Sequence, residues 1–261
     1  MKTFQSTTIA IIAATCMLIA MMLSCTNAQR LSTQFGHLMS SQALIKQINL
    51  DPQSTFKAQL YPRFEWGHVP SATVSDRMCV QSSAKFQERL STQYILECDT
   101  RDFGCNGGYL NTEFEFELKR GIPTEKCVPY SAVNGTLANC PSKCVNGEPL
   151  VLYKTKAVQN LTGEHDMQQA ILQGGSIMTE LDMYQDFLYY SSGVYQHSAN
   201  LRQPIAKFVV RIIGWGVENG VKYWIVPNIW GKTWGMQGYI WIRRGNNESN
   251  IEKDAFAFQV Y

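Results

Sequence analysis

The chain has 261 residues, 45% of them hydrophobic and 17% charged, which is a globular composition with enough material for one large domain or two small lobes. The net charge of +2 arises from 23 Lys and Arg against 21 Asp and Glu spread evenly along the chain, so neither a nucleic acid nor an anionic membrane surface is expected as a partner.

Residues 1–28 begin with Lys2, run apolar from Ile9 to Leu23 and end in Thr26, Asn27 and Ala28. That order fits a secretory signal cleaved after Ala28; an uncleaved anchor is the alternative, because the apolar run is long. No later segment is long and apolar enough to span a bilayer, so no membrane contact is expected of the mature form. Cleavage would remove Cys16 and Cys25 and leave Cys79, Cys98, Cys105, Cys127, Cys140 and Cys144 in an oxidising compartment, where disulfides are expected. No CxxC pair and no His pair stands at ligand spacing, so no metal site or cofactor is expected.

Gln42 to Phe64 reads as a short amphipathic helix, a turn at Pro52 and an extended piece. A helix is expected near Pro70 to Ser82, since proline suits a first turn and Val74, Met78 and Cys79 fall on one face. Another helical pattern contains Tyr94 and Ile95, then comes the glycine-rich GCNGGY, then a helix from Asn111 to Lys119 that stops at Gly121. Beyond Gly121 the segments VLYKTKAV, FVVRIIGWGV, VKYWIVPNIW and YIWIRR carry β-branched and aromatic residues between glycine turns. The first half is therefore mainly helical and the second mainly strand, an α+β architecture of two lobes.

Several motifs together resemble one family. SDRMCV (Ser75 to Val80), GCNGGY (Gly104 to Tyr109), CVPY (Cys127 to Tyr130), YQDFLYYSSGVYQH (Tyr184 to His197), RIIGWGVENGVKYWIVPN (Arg211 to Asn228) and GKTWGMQGYIWIRRG (Gly231 to Gly245) are similar in order and spacing to papain-like cysteine peptidases of the cathepsin B branch. The resemblance implies a helical left lobe, a β-barrel-like right lobe and a substrate cleft between them. It also implies a truncated N-terminal part, with residues 29–64 as a propeptide-like remnant before a papain-like domain over 65–261.

Such an enzyme needs a thiolate, a histidine base, an asparagine that orients the imidazole and a glutamine that helps to hold the oxyanion. The resemblance places Phe208 at the histidine position, retains the asparagine as Asn228 and places Trp230 over it. A phenyl ring neither accepts a proton nor carries an imidazolium charge. Counting back without a gap from SDRMC puts the nucleophile at Glu65 and the glutamine at Gln59. The other alignment, preferred here, makes this stretch a deletion junction, because Pro70 would break a helix beginning at residue 65. Either way no cysteine stands at the site, and a carboxylate would repel a developing oxyanion. A relocated centre built from Cys79 or Cys105 with His68 or His197 is the rival reading.

The resemblance further implies the bridges Cys98–Cys140 and Cys127–Cys144 and leaves Cys79 and Cys105 without family partners, either reduced or paired unconventionally. It places Gly104, Asn106, Gly107 and Gly108 in a cleft wall and Asp254 at an acidic specificity position, where a solvated carboxylate is the plainer alternative. The short stretch from Ser131 to Cys144 lacks the occluding insert with paired histidines, so dipeptide trimming is not expected. Asn134, Asn160 and Asn247 head glycosylation sequons. The expectation is a non-catalytic homologue, secreted or endolysosomal, that binds peptides, peptidase inhibitors or a protein partner.

Overall fold

A computed structural model describes residues 56–58, 68–132 and 136–260. The signal-like segment, the expected helix after Gln42, any N-terminal truncation, Gln59, Glu65 and Asn134 lie outside the described residues. From the N-terminal stretch one short strand is described, β1 (Phe56–Ala58), which runs antiparallel to a later strand with Phe56 opposite Gly193.

Helix α1 (His68–Gln81) starts two residues before Pro70, which leaves the proline in the first turn, where its missing N–H has no helical acceptor. This helix is buried on nearly every side: Val69, Val74 and Met78 join the left-lobe core, and Ser71, Thr73, Ser75, Asp76 and Arg77 are buried too. Buried polar groups must find partners, and these do. Thr73 Oγ1 donates to Val69 O at 2.7 Å, and Ser75 Oγ donates to Ser71 O at 2.6 Å while accepting from Leu90 N–H at 2.9 Å. Arg77 donates to four carbonyls distant in sequence, those of Phe258, Ala170 (3.4 Å), Gly175 (3.0 Å) and Ser176 (3.2 Å). Burial lowers Arg77 to about 10, so it stays charged near neutrality. Its neighbour Asp76 pairs with Arg211 and accepts from Ser176 Oγ at 2.8 Å; burial raises this carboxyl while Arg211 opposes the rise.

Helix α2 (Thr92–Cys98) is capped by Ser91, whose Oγ accepts from Tyr94 N–H at 3.0 Å. A single 3-10 turn follows at Gly104–Asn106, then α3 (Leu110–Lys119). α3 stops where expected, because Gly121 adopts φ +86° and a Cβ there would meet Tyr153 O at 2.8 Å. Disulfides Cys98–Cys140 and Cys127–Cys144 tie this lobe, with Cα separations of 4.7 and 4.4 Å. Cys79 is also disulfide-bonded, the second of the two states that the sequence left open for it.

The second half contains β2 (Ala157–Leu161), α4 (Gly163–Gly174), β3 (Ile177–Met183), a 3-10 turn (Gln185–Tyr189), β4 (Tyr190–Tyr195), β5 (Ala206–Ile212), β6 (Gly214–Glu218), β7 (Val221–Pro227), β8 (Tyr239–Arg243), a second 3-10 turn (Glu248–Asn250) and β9 (Ala255–Gln259). The sequence reading did not single out α4 or β3, and the VLYKTKAV strand begins only at Ala157. The strands form a sheet in the order β1-β4-β8-β7-β6 and another in the order β2-β9-β3-β5. Ile177, Leu181, Val210, Ile212, Trp224, Val226, Ile240 and Ile242 fill the core of this lobe. No described helix is long and apolar enough to cross a membrane.

Because α1 is fixed to α4, the α4–β3 turn and β9 through one guanidinium, Arg77→Met removes a charged donor from four buried carbonyls. A loss of at least about 3 kcal/mol is expected, read as a lower denaturation midpoint in guanidinium; an unchanged midpoint would show that the carbonyls find other partners.

Candidate active-site region

β5 and the exit of β7 carry the right-lobe residues. Phe208 sits in β5 opposite Leu181 of β3, and Asn228 follows Pro227, the last residue of β7. The Phe208 ring lies 5.5 Å from Trp230 and 5.9 Å from Phe187; Trp234 closes the group, 5.1 Å from Trp230 and 5.6 Å from Phe187. Trp230 is 7% exposed and Trp234 wholly buried, so the expected histidine position belongs to an aromatic cluster. Phe187 and Trp234 were not foreseen as its members, although both stand inside the motifs of the sequence reading.

The amide of Asn228 is held by its own backbone neighbourhood. The backbone N–H of Asn228 donates to Gly238 O at 2.7 Å, and its side-chain Oδ1 accepts from Ile229 N–H at 2.8 Å. Its Nδ2 is buried and has no hydrogen-bond partner among the described residues. An amide that orients an imidazole must offer its carbonyl to a ring N–H, and here that carbonyl faces Ile229.

On the left lobe, Gly104 and Gly107 take φ +54° and +109°, and a Cβ on Gly104 would run into Leu137. Phe103 N–H donates to Gly107 O at 2.9 Å and closes the turn. Asp102 Oδ1 accepts from Tyr109 N–H at 2.9 Å and Thr112 Oγ1 at 2.6 Å, which seats the start of α3. Gly108 follows outside any helix or strand, and Phe103 and Tyr109 stand exposed edge to face at 6.0 Å. The Asp254 side chain is 66% exposed and lies 3.9 Å from Lys253, the environment of a solvated carboxylate.

Of the groups of the rival dyad, Cys79, His68 and His197 have other attachments, whereas Cys105 is outside any disulfide. Cys79 is disulfide-bonded and offers no thiolate. His68 Nδ1 lies 2.9 Å from Thr92 Oγ1, and its ring is 5.0 Å from Tyr130. His197 stacks on Tyr184 at 4.0 Å and places Nδ1 2.6 Å from Glu248 Oε1. That hydrogen bond to Glu248 raises the imidazole above its usual value, against burial. Nearby Asp186, pushed up to about 6 by burial, accepts from Tyr195 O–H at 2.7 Å and Ser198 N–H at 2.7 Å. Among the described residues no group of His, Cys, Asp or Glu could hold a metal ion.

A helical lobe anchored on α1, packed against a strand lobe of two sheets, defines the papain-like fold. The chain matches the papain family of cysteine proteases over residues 64–259 and belongs to that family. It is 40% identical over 192 residues to cathepsin B-like CP3 of Giardia intestinalis (72% of this chain, 64% of that protein) and 32% identical to cathepsin B-like cysteine proteinase 3 of Caenorhabditis elegans (74% and 58%). The chain thus spans just under two thirds of the curated relatives' length. Among solved structures, procathepsin B S9 of Trypanosoma congolense superimposes with a TM-score of 0.70 at 28% identity, covering 92% of this chain and 83% of its own.

The His197–Glu248 pair is charged on both sides only while the imidazole is protonated. Its folded value lies above its unfolded one, so its contribution is full below about pH 6.5 and fades as pH rises through the folded value. Glu248→Gln is expected to lower Tm clearly near pH 5 and little near pH 8; an equal loss at both would assign Glu248 a role independent of the histidine.

Proposed function

We propose that this protein is a non-catalytic cathepsin B-like homologue that acts by binding a peptide or a protein ligand, peptidase inhibitors among them. One observation carries the reading: Phe208 stands where the resemblance asks for a histidine, packed on Trp230 and Phe187. With no imidazole there, a thiol would lack the base that keeps it ionised, and the leaving amine would lack its proton donor. Asn228 supports the same reading, since its carbonyl is turned to Ile229 N–H. The glycine turn at Gly104 and Gly107 and the exposed Phe103 and Tyr109 remain as recognition surface.

A cysteine endopeptidase with relocated groups is the second reading, favoured by the names of the relatives. An epoxide probe for papain-type thiolates separates the two. No labelling that a competing peptide blocks is expected, and no hydrolysis of basic or hydrophobic-basic peptides. Competitor-sensitive labelling would overturn the non-catalytic reading, because it requires an activated thiolate at the ligand site.

The bridges Cys98–Cys140 and Cys127–Cys144 suit a secretory or endolysosomal location. In such a compartment Asn160 is the favoured glycan acceptor: it is exposed on β2, an edge strand, and Thr162 is exposed as well. The Asn247 side chain already accepts from Glu252 N–H at 2.9 Å and donates to Asn250 Oδ1 at 3.2 Å, and Ser249 is buried. Expressed through a secretory pathway, the protein should lose one glycan increment of its N-glycanase mass shift in Asn160→Gln and none in Asn247→Gln; the reverse pattern would refute the assignment.

A further inference from the structure

Helix α3 turns two glutamates inward on the face that also carries Phe116. Glu113 and Glu117, one turn apart, are 0% and 1% exposed, and all four of their carboxyl oxygens are buried with no hydrogen-bond partner beyond each other among the described residues. A buried carboxylate without a countercharge is strongly disfavoured and takes up a proton instead. A proton on one can bridge to the other.

Among the described residues no neighbouring cation relieves the pair. Asp102 and Asp99, on the segment before α3, both add negative charge toward Glu113, and each has a buried Oδ2 without a partner. Arg101 on that segment bonds Glu115 at 2.9 Å and Thr112 O, with Asp99 at 3.6 Å. Arg120, after α3, lies over the Tyr94 and Phe116 rings. On α2, Glu97 is taken up by Gln93 Nε2 and Ala138 N–H. β9 presents Phe256 and Phe258 to Phe114. Among the described residues the carboxyl groups are not arranged as a metal site, and burial without a countercharge favours a proton as the neutralising species.

We propose that protons on Glu113 and Glu117 hold α3 and the Gly104–Tyr109 wall that leads into it, so that this side of the ligand site is docked in acid and loosens toward neutral pH. Burial pushes Glu117 up to about 8 and Glu113 well above the usual carboxyl range. Between the unfolded value of about 4.3 and those values, the docked helix binds protons that a released one gives up. Docking is therefore most favourable at the acid end and weakens as pH rises through the folded values. The regulatory meaning rests on the binding reading above; the gate itself does not.

Amide hydrogen exchange of residues 104–120 in the full chain without ligand, corrected for intrinsic rates at about pH 5 and about pH 7.5, tests it. Protection is expected to fall by ~10-fold or more at the higher pH, and Glu113→Gln with Glu117→Gln should abolish that fall. Equal protection of the native chain at both pH values would overturn the proposal, as would the same fall in the double variant. Should the variant not fold, the native comparison alone decides. Because no ligand is present, a failed gate leaves the binding reading standing, and failed peptide binding leaves the gate standing.

Discussion

The burial of two adjacent opposite charges, Asp76 and Arg77, in the middle of α1 is the constraint on which the remaining architecture depends. A charge taken from water must be met by fixed partners, and the partners here come from α4, the α4–β3 turn, β5 and β9. One helix turn thereby dictates where the strand lobe sits. Gly174 belongs to this arrangement, for a Cβ there would strike the Arg77 guanidinium. With α1 so placed, the cores of both lobes close on either side of it.

The same anchoring sets the frame in which the candidate site sits. Phe208 occupies a β5 position whose backbone register with Leu181 is set by the sheet. The phenyl ring there makes apolar contact with Trp230 and Phe187 and leaves the strand pairing intact. The polar remainder is Asn228, with one buried amide hydrogen-bonding group unmet. Such a group favours a ligand that presents a carbonyl oxygen, provided the ligand reaches it.

Elements marked by local signals were legible in the sequence. Pro70 fixed the first turn of α1 to within two residues, and Gly121 marked the end of α3. α4 and β3 escaped because their signals are weak or misleading. The inner face of α4 consists of little more than Met167, Ala170 and Ile171, and β3 buries the polar Thr179 and Asp182. Those residues are tolerated by partners remote in sequence, Ile251 O and Asp254 O for Thr179, Asn250 and Lys207 for Asp182. The site divides in the same way. Phe208 and Asn228 could be read from contiguous motifs, whereas the His197–Glu248 pair spans 51 residues. The inward glutamates of α3 did have a signal, their i, i+4 spacing around Phe116, but a carboxylate is ordinarily read as solvated surface.

β1 adds a consequence at the other end of the molecule. It lies at the edge of its sheet, and β4 is interior only because β1 covers it. Removal of the segment that contains Phe56–Ala58 would turn β4 into an edge strand with unpaired N–H and C=O groups, open to strand addition from another chain. Three residues near the N-terminus thus act as a cover against self-association, and any proteolytic trimming of that end would trade colloidal stability for an exposed docking edge.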